Sequence, residues 1–166
     1  SVSQLKDERE QFDIVEAIEE TVGLVLVSLK RSQVRVKFYN KLTAEQKKWV
    51  GYRGFLSQVI INLLTNAERY AYPKGSGGIV DVTIRLEGDR HYCLIVKDYG
   101  QGIPLEDQAR LFEPFFTTGR AIGGTGLGLA IVHNLAVNAL KGEVKVLSEV
   151  GQGTEFFVSF PRVIPE

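Results

Sequence analysis

Apolar residues recur at helical spacing in three long stretches of the chain. The first covers residues 14–30, with Asp13 in the position of a capping residue, the second residues 53–72, and the third residues 126–141. Pro73 and a glycine-rich loop end the second stretch. Each stretch therefore predicts a helix with one buried face.

Strand patterns fill the chain between these helices. Alternation of polar and apolar residues predicts a strand over residues 34–40, a short strand near Trp49 and a hairpin over residues 80–98. Two more strands are predicted within residues 142–161. The mixture predicts an α+β fold, a two-layer α/β sandwich in which helices cover one face of a mixed, mostly antiparallel sheet.

The length and charge fit a single domain with no bias toward a charged partner. A chain of 166 residues can bury a core without disulfides or metals. We expect residues 13–166 to form this domain and residues 1–12 to be the end of a preceding helix or a linker. The 20 Lys and Arg residues balance the 20 Asp and Glu residues, so the net charge gives no reason to expect binding to nucleic acid.

The apolar runs are far shorter than the about 20 residues that cross a bilayer. We therefore expect no membrane contact by this domain. The lone Cys93 can form neither an internal disulfide nor a zinc cluster, which favours a reducing, cytoplasmic compartment. The sequence starts without Met, so we expect it to be a piece of a longer protein, and whether that parent is membrane-anchored stays open.

A polar row borders the apolar face of the second predicted helix. At about 100° per residue, Asn62, Asn66 and Arg69 fall along one edge of the buried arc. An amide oxygen suits a hard cation such as Mg²⁺, which takes few protein ligands, and a guanidinium one turn further on suits a phosphate. The alternative is that both asparagines lie on a solvated flank of the helix.

Asp98 ends an apolar row on the second strand of the predicted hairpin. Alternation places it on the same face as Leu94 and Val96, so its carboxylate should point into a pocket. The exocyclic amino group of a purine would suit that carboxylate, and Gly100 and Gly102 would let a flat ring approach the backbone. The alternative is an ordinary aspartate that ends a strand in an Asp-Tyr-Gly turn.

Alternating glycines stand immediately before the third predicted helix, at Gly124, Gly126 and Gly128. Backbone N–H groups can converge there beside the positive end of a helix dipole, an arrangement that suits an oligophosphate. No βαβ unit surrounds the stretch and no GK[ST] follows it, so it is neither a dinucleotide fingerprint nor a P-loop. The alternative, a flexible linker, fits poorly because the helical pattern follows at once.

Four motifs in chain order resemble those of one protein family. NLLTNAERY, DYGQGIP, FEPFFTT and GGTGLGLA are similar to the N box, first glycine box, F box and second glycine box of the sensor histidine kinases of two-component systems, within the GHKL ATPase superfamily. The resemblance covers roughly residues 13–161. It implies the GHKL ATPase sandwich, an ATP-binding catalytic domain that holds Mg²⁺ and ATP under a mobile lid from about residue 104 to 124.

The resemblance implies a role for each matching position. Asn66 resembles the Mg²⁺ ligand, while Asn62 and Arg69 resemble its catalytic companions beside the phosphates. Tyr70 resembles a ring-side contact and Asp98 the carboxylate that reads adenine. The other positions that the resemblance assigns to nucleotide binding are Gly100, Gly102, Ile103, Thr118, Arg120, Gly124, Thr125, Gly126, Leu127, Gly128, Leu129 and Thr154.

The chain also departs from the family's patterns. In the hydrolytic branches, a glutamate four residues before the magnesium asparagine activates water, and here that place is Asn62. Glu68 lies about 200° around the helix from Asn66 and is expected to be a solvated surface residue. Many relatives read FFTTK where this chain has FFTTGR, so Arg120 is the expected phosphate-reaching cation of the lid.

Neither His91 nor His133 is followed by the acidic residue expected of the family's phosphoacceptor motif, so both are expected to be bystanders. The resemblance therefore implies a domain that donates the γ-phosphoryl group of ATP to a histidine on a dimerisation domain outside this chain, with a response regulator as a further partner. The alternatives are an ATP-switched GHKL ATPase or interaction module, and a serine kinase that acts on a regulatory protein.

Overall fold

The computed structural model describes residues 7–72, 76–116 and 126–166. The strands in these ranges are β1 Arg9–Asp13, β2 Val34–Asn40, β3 Lys48–Tyr52, β4 Gly78–Glu87, β5 His91–Asp98, β6 Glu143–Glu149 and β7 Gly153–Pro161. The helices are α1 Ile14–Arg31, α2 Arg53–Asn66, α3 Leu105–Gln108 and α4 Gly128–Asn134, together with a 3₁₀ turn over Ala44–Lys47.

The described strands form a five-stranded sheet and a two-stranded sheet. The larger sheet has the order β2-β4-β5-β7-β6, in which β2 and β4 are parallel and all other neighbours are antiparallel. The smaller sheet pairs β1 with β3 in antiparallel fashion. The strands and the hairpin predicted from the sequence are confirmed.

Helices bury one face of the larger sheet. On β4, the buried residues Val80, Val82 and Ile84 alternate with residues that are only half-buried. They pack in one core with the apolar sides of α1, α2 and α4, to which Ile18, Ile60 and Val132 belong. The predicted two-layer α/β sandwich is therefore confirmed.

The α-helical geometry ends earlier than predicted in two helices. π-Helical turns over Ala67–Ala71 and Leu135–Ala139 continue α2 and α4, so the predicted α-helices over 53–72 and 126–141 are wrong in their last turns. The first of these turns lets Tyr72 reach β4, because its ring lies against Gly78 and its hydroxyl donates to the Ile79 carbonyl at 2.7 Å. Arg69 and Tyr70 therefore lie in a π-helical turn.

The smaller sheet closes one end of the core around Trp49. This indole is fully buried, and its Nε1 donates to the Pro161 carbonyl at 3.0 Å. Its ring centroid lies 5.3 Å from that of Phe12 and 5.1 Å from that of Phe160. Trp49 thus joins β1, β3 and β7.

The prediction that residues 1–12 are the end of a preceding helix or a linker is wrong for residues 9–12. They lie in β1, because they pair with β3 and because Phe12 packs on Trp49, contacts that a local sequence pattern does not reveal. Residues 1–6 lie outside the described ranges. Residues 9–12 thus pack with residues 13–166, whose assignment to a single ATP-binding domain stays a prediction.

The segment before β1 also caps α2. Tyr52, which precedes α2, provides no side-chain cap, and the Asp7 carboxylate instead accepts a hydrogen bond from the Phe55 backbone N–H at 2.8 Å. An acceptor at this position satisfies a backbone donor that has no partner within the helix.

We expect Asp7→Ala to lower the free energy of unfolding by about 1 kcal/mol, the usual cost of losing a capping carboxylate. Urea unfolding followed by circular dichroism measures the change. The matched control is Glu8→Ala, at an exposed neighbour, which should change stability by less than about 0.5 kcal/mol. Equal stability of the wild-type protein and Asp7→Ala would contradict the capping role.

The structure contains no helix, among those in the described ranges, with the length and apolar character needed to span a membrane.

Candidate functional site

A pocket that opens to solvent lies between α2, the loop after β5 and the start of α4. Predicted site residues from distant parts of the sequence meet here. Those that line the pocket are Asn62, Asn66, Arg69, Tyr70, Asp98, Gly102, Ile103, Gly126, Gly128, Leu129 and Thr154. Gly100 and Leu127 adjoin lining residues, whereas Thr118, Arg120, Gly124 and Thr125 lie outside the described residues.

The α2 side of the pocket carries two polar side chains whose binding groups are available. Asn66 is half-buried and Arg69 is exposed. Within the described ranges, neither side chain takes part in a hydrogen bond or an ion pair. An amide oxygen and a guanidinium group that face the same space can bind a hard cation and a phosphate.

Asn62 connects α2 to the start of α4. Its Nδ2 donates to the Gly128 carbonyl at 3.2 Å, and its Oδ1 accepts from Gln58 Nε2 at 2.7 Å. Each end of the amide therefore already has one partner. A neutral amide held in this way positions the glycine turn and has no carboxylate with which to deprotonate water.

Asp98 lies at the floor of the pocket with one oxygen bound and one available. Its Oδ1 accepts hydrogen bonds from the backbone N–H groups of Gly100, at 3.0 Å, and Thr154, at 3.1 Å. No donor in the described part of the chain lies within hydrogen-bonding distance of Oδ2. Asp98 therefore forms the turn expected of a strand-end aspartate and also offers a free acceptor.

Burial changes the acidity of this carboxyl group. Asp98 is only 6% exposed, and loss of hydration raises its pKa above the ordinary value of 3.8, although the two N–H donors partly oppose this shift. A buried carboxylate without a full set of donors favours a ligand that supplies one. The exocyclic amino group of a purine is such a donor.

Gly100 and Gly102 allow the loop after β5 to pack closely on its neighbours. A Cβ on Gly100 would lie 2.4 Å from the Ala71 carbonyl oxygen, and one on Gly102 would lie 2.2 Å from the Glu149 carbonyl oxygen. Gly102 also has a φ of +75°, which favours glycine. The sequence analysis explained both glycines by the approach of a flat ring, whereas the structure shows that contacts within the chain already require them.

In the second glycine motif, Gly126 packs closely on a neighbour, whereas Gly128 does not. A Cβ on Gly126 would lie 2.6 Å from the backbone of Phe115, whose N–H donates to the Gly126 carbonyl at 2.7 Å. A Cβ on Gly128 would meet nothing within 4 Å among the residues that the structure describes. Gly128 therefore leaves open space at the pocket wall, next to the first turn of α4, where a ligand could contact the backbone.

The sequence analysis did not single out several residues that complete the pocket, namely Thr65, Ala71, Gln101, Leu111 and Phe116. Gln101 donates from Nε2 to the Tyr70 carbonyl and so joins the loop after β5 to the end of the α2 segment. Thr65, Gln101 and Phe116 lie inside quoted motifs, so their position gave a signal. The contributions of Ala71 and Leu111 depend on tertiary packing.

Other titratable residues lie away from the pocket. Glu68 does not line the pocket; it is half-buried and accepts a hydrogen bond at 2.6 Å from Ser32, the residue that follows α1. His91 and His133 are both exposed and neither lines the pocket. The His133 ring lies 5.5 Å from that of Phe112.

Comparison with known proteins identifies the family to which this chain belongs. The model of the histidine kinase-, DNA gyrase B-, and HSP90-like ATPase family matches residues 51–164, which include α2, Asp98, Gly128 and Thr154. The chain belongs to this ATPase family. The match supports the family resemblance that the four motifs indicated.

Individual relatives agree with this assignment. The signal transduction histidine-protein kinase AtoS of Escherichia coli K12 is 34% identical over 152 residues, which make up 92% of this chain and 24% of AtoS. The chain therefore spans about a quarter of the length of this curated relative. It is homologous to sensor histidine kinases.

Solved structures share the fold. The nucleotide-free catalytic domain of histidine kinase ThkA has a TM-score of 0.78 at 25% identity, covering 95% of this chain and 99% of that domain. Full-length ShkA in complex with AMPPNP has a TM-score of 0.78 at 27% identity, covering 94% of this chain and 31% of ShkA. ThkA has also been solved with the response regulator TrrA, and that structure is alike in fold, with a TM-score of 0.73 at 24% identity.

Proposed function

We propose that this domain binds Mg²⁺ and ATP in the described pocket and donates the γ-phosphoryl group to a histidine on a dimerisation domain outside this chain. The observation that carries the proposal is the meeting of Asp98, Asn66, Arg69 and Gly128 around one space, although they lie far apart in sequence. Membership of the ATPase family and homology to sensor histidine kinases support it.

The adenine end of the proposed site is the floor formed by Asp98 and Thr154. The free Oδ2 of Asp98 can accept a hydrogen bond from the exocyclic amino group, while Ile103 and Leu129 supply apolar walls for the ring. Tyr70 lines the same pocket and can contact the base or the ribose. The free oxygen belongs to a carboxylate that is only 6% exposed, and it fits a ligand that carries a donor.

The phosphate end of the proposed site lies between α2 and α4. The Asn66 amide oxygen would hold Mg²⁺, and Arg69 and the open backbone at Gly128 would face phosphate oxygens. Bound Mg²⁺ would neutralise the charge that develops on the phosphates during transfer. Asn62 would keep Gly128 in place through its hydrogen bond to the carbonyl. We propose that further residues complete the phosphate site. They are Leu127 and, outside the described ranges, Thr118, Arg120, Gly124 and Thr125.

Transfer to an external histidine is favoured over hydrolysis. The position that holds a water-activating glutamate in hydrolytic branches carries Asn62, whose amide is bonded to Gly128 and Gln58. This chain's own residues would position ATP, and the acceptor would come from outside. An ATP-switched ATPase or interaction module is the alternative that the experiment below tests.

The remaining partners follow from the relatives. We infer that the parent protein supplies the histidine-bearing dimerisation domain and passes the phosphoryl group to a response regulator, as suggested by the regulator bound in the ThkA structure. We further infer a cytoplasmic location, where Mg²⁺ and ATP are abundant and the thiol of Cys93 stays reduced.

We expect this chain alone to bind Mg²⁺·ATP without labelling itself and without useful turnover. Addition of the parent's dimerisation segment in trans should restore weak histidine phosphorylation, because separation removes the millimolar effective concentration that a linker provides. Radiolabelled ATP, followed by tests of acid and base stability, detects the phosphohistidine.

Two results would contradict the proposal. Robust ATP hydrolysis by this chain alone would favour the ATPase alternative. Acid-labile phosphate on His91 or His133 would contradict the requirement for an external acceptor. A dimerisation segment whose acceptor histidine is replaced by glutamine serves as the control and should remain unlabelled.

A further inference from the structure

Ser148 lies outside the pocket, but its hydroxyl group contacts three residues that form or adjoin the pocket lining. The Oγ of Ser148, at the end of β6, accepts from the Ile103 backbone N–H at 2.8 Å. It lies 3.0 Å from the Gly153 carbonyl oxygen and 2.8 Å from Thr154 Oγ1. Ile103 and Thr154 line the pocket, whereas Ser148 does not.

Only one arrangement of protons makes all of these contacts hydrogen bonds at once. A carbonyl oxygen can only accept, so the single hydroxyl proton of Ser148 goes to Gly153. One lone pair of Ser148 Oγ accepts the Ile103 N–H, and the other accepts the hydroxyl proton of Thr154. In this arrangement every donor has an acceptor, and the Thr154 proton points away from the pocket.

The two floor residues, Asp98 and Thr154, therefore present acceptors only. The Thr154 N–H is already bound to Asp98 Oδ1, and its hydroxyl proton is bound to Ser148, so Thr154 Oγ1 offers lone pairs. Asp98 Oδ2 is also an acceptor, since the carboxylate carries no proton when ionised. An amino group with two N–H donors suits these two residues, whereas the keto oxygen of a 6-oxopurine would meet lone pairs and no donor at Asp98 and Thr154.

We propose that Ser148 is a positioning residue that sets the preference for a 6-aminopurine over a 6-oxopurine by holding the Thr154 hydroxyl as an acceptor. This inference rests on the proposed function, since it requires a purine at the Asp98 floor. Loss of the Ser148 hydroxyl would free the Thr154 proton, which could then turn into the pocket and donate to a keto oxygen.

The decisive measurement is the ratio of affinities for ATP and inosine triphosphate, obtained by isothermal titration in Mg²⁺. We expect Ser148→Ala to reduce the ATP preference about tenfold, because the freed Thr154 hydroxyl can donate to the keto oxygen and no longer favours the amino group. Ser148→Thr, which keeps a hydroxyl, should retain the wild-type ratio. Ser159→Ala removes a serine hydroxyl that bonds to Glu87 away from the pocket, and it should leave the ratio unchanged.

A double-mutant cycle separates positioning from a merely structural role. In a Thr154→Val background, Ser148→Ala should leave the ratio unchanged, because the hydroxyl through which Ser148 acts is gone. Equal weakening of both nucleotides by Ser148→Ala would overturn the inference. If Ser148→Ala does not fold, Thr154→Val alone decides, since an unchanged ratio in that variant also overturns it.

Asp98→Asn distinguishes failure of this inference from failure of the proposed function. Weaker ATP binding in Asp98→Asn together with an unchanged ratio in Ser148→Ala would refute only the role of Ser148. Unchanged ATP binding in Asp98→Asn would refute the adenine site itself.

Discussion

Asp98→Asn is expected to weaken ATP binding about 10- to 100-fold, because the variant lacks a charge-assisted hydrogen bond of about 1.5–3 kcal/mol. The direction follows from the hydrogen bonds of the side chain. The N–H groups of Gly100 and Thr154 both need an acceptor, so they hold the amide oxygen of the new asparagine toward themselves. Its NH₂ group then faces the pocket, where it would oppose the amino group of adenine.

Isothermal titration of ATP into the wild-type and variant domains measures this effect. The matched control is Asp81→Asn on β4, since Asp81 accepts from the Tyr99 hydroxyl and does not line the pocket. ATP affinity of the control should stay within about twofold of wild type, a change well below 1 kcal/mol. If Asp98→Asn bound ATP as tightly as wild type, adenine recognition by this carboxylate would be refuted.

Asn66→Ala is expected to weaken ATP binding at least about tenfold in Mg²⁺ and far less in EDTA. The reason is that a metal ligand contributes to affinity only when the metal is present. Asn66 fits this role because its half-buried amide lines the pocket and has no hydrogen-bonding partner within the described ranges. Titrations in the two buffers, at equal ionic strength, give the two dissociation constants.

Two further variants define what the Asn66 result means. Asn138→Ala removes an exposed amide whose partner is Asn134, outside the pocket, and should leave both dissociation constants unchanged. Asn62→Ala should weaken binding in both buffers, since it releases the Gly128 carbonyl. Equal losses of affinity for Asn66→Ala in Mg²⁺ and EDTA would show that Asn66 supports the pocket structurally and does not bind the metal.

Local sequence patterns predicted most of the fold because these elements are amphipathic. The period of two along β4 and β5 and the helical spacing of α1 and α2 match the residues that the core buries. Two features escaped this reasoning. β1 depends on pairing with β3 and on packing against Trp49, and the π-helical turn after α2 depends on where Tyr72 meets β4. Both are decided by residues distant in sequence.

The candidate site, like the fold, was predicted only in part from the sequence. Motifs and residue chemistry predicted that Asn62, Asn66, Arg69 and Asp98 belong together, and the structure brings all four to one pocket. The sequence could not show which atoms were already bonded. It could not distinguish the occupied Oδ1 of Asp98 from the free Oδ2, because that depends on the N–H of Thr154, 56 residues further along.

The sequence by itself determined the sandwich, its buried faces and the residue types available for a nucleotide, because these depend on periodicity and on the chemistry of short motifs. Tertiary structure decided what each polar group can still bind. Ser148 illustrates this, since its hydroxyl lies among Ile103, Gly153 and Thr154 only after β6, β7 and the loop after β5 have packed together. A hydrogen bond uses a donor once, so its direction depends on every neighbour that folding places within reach.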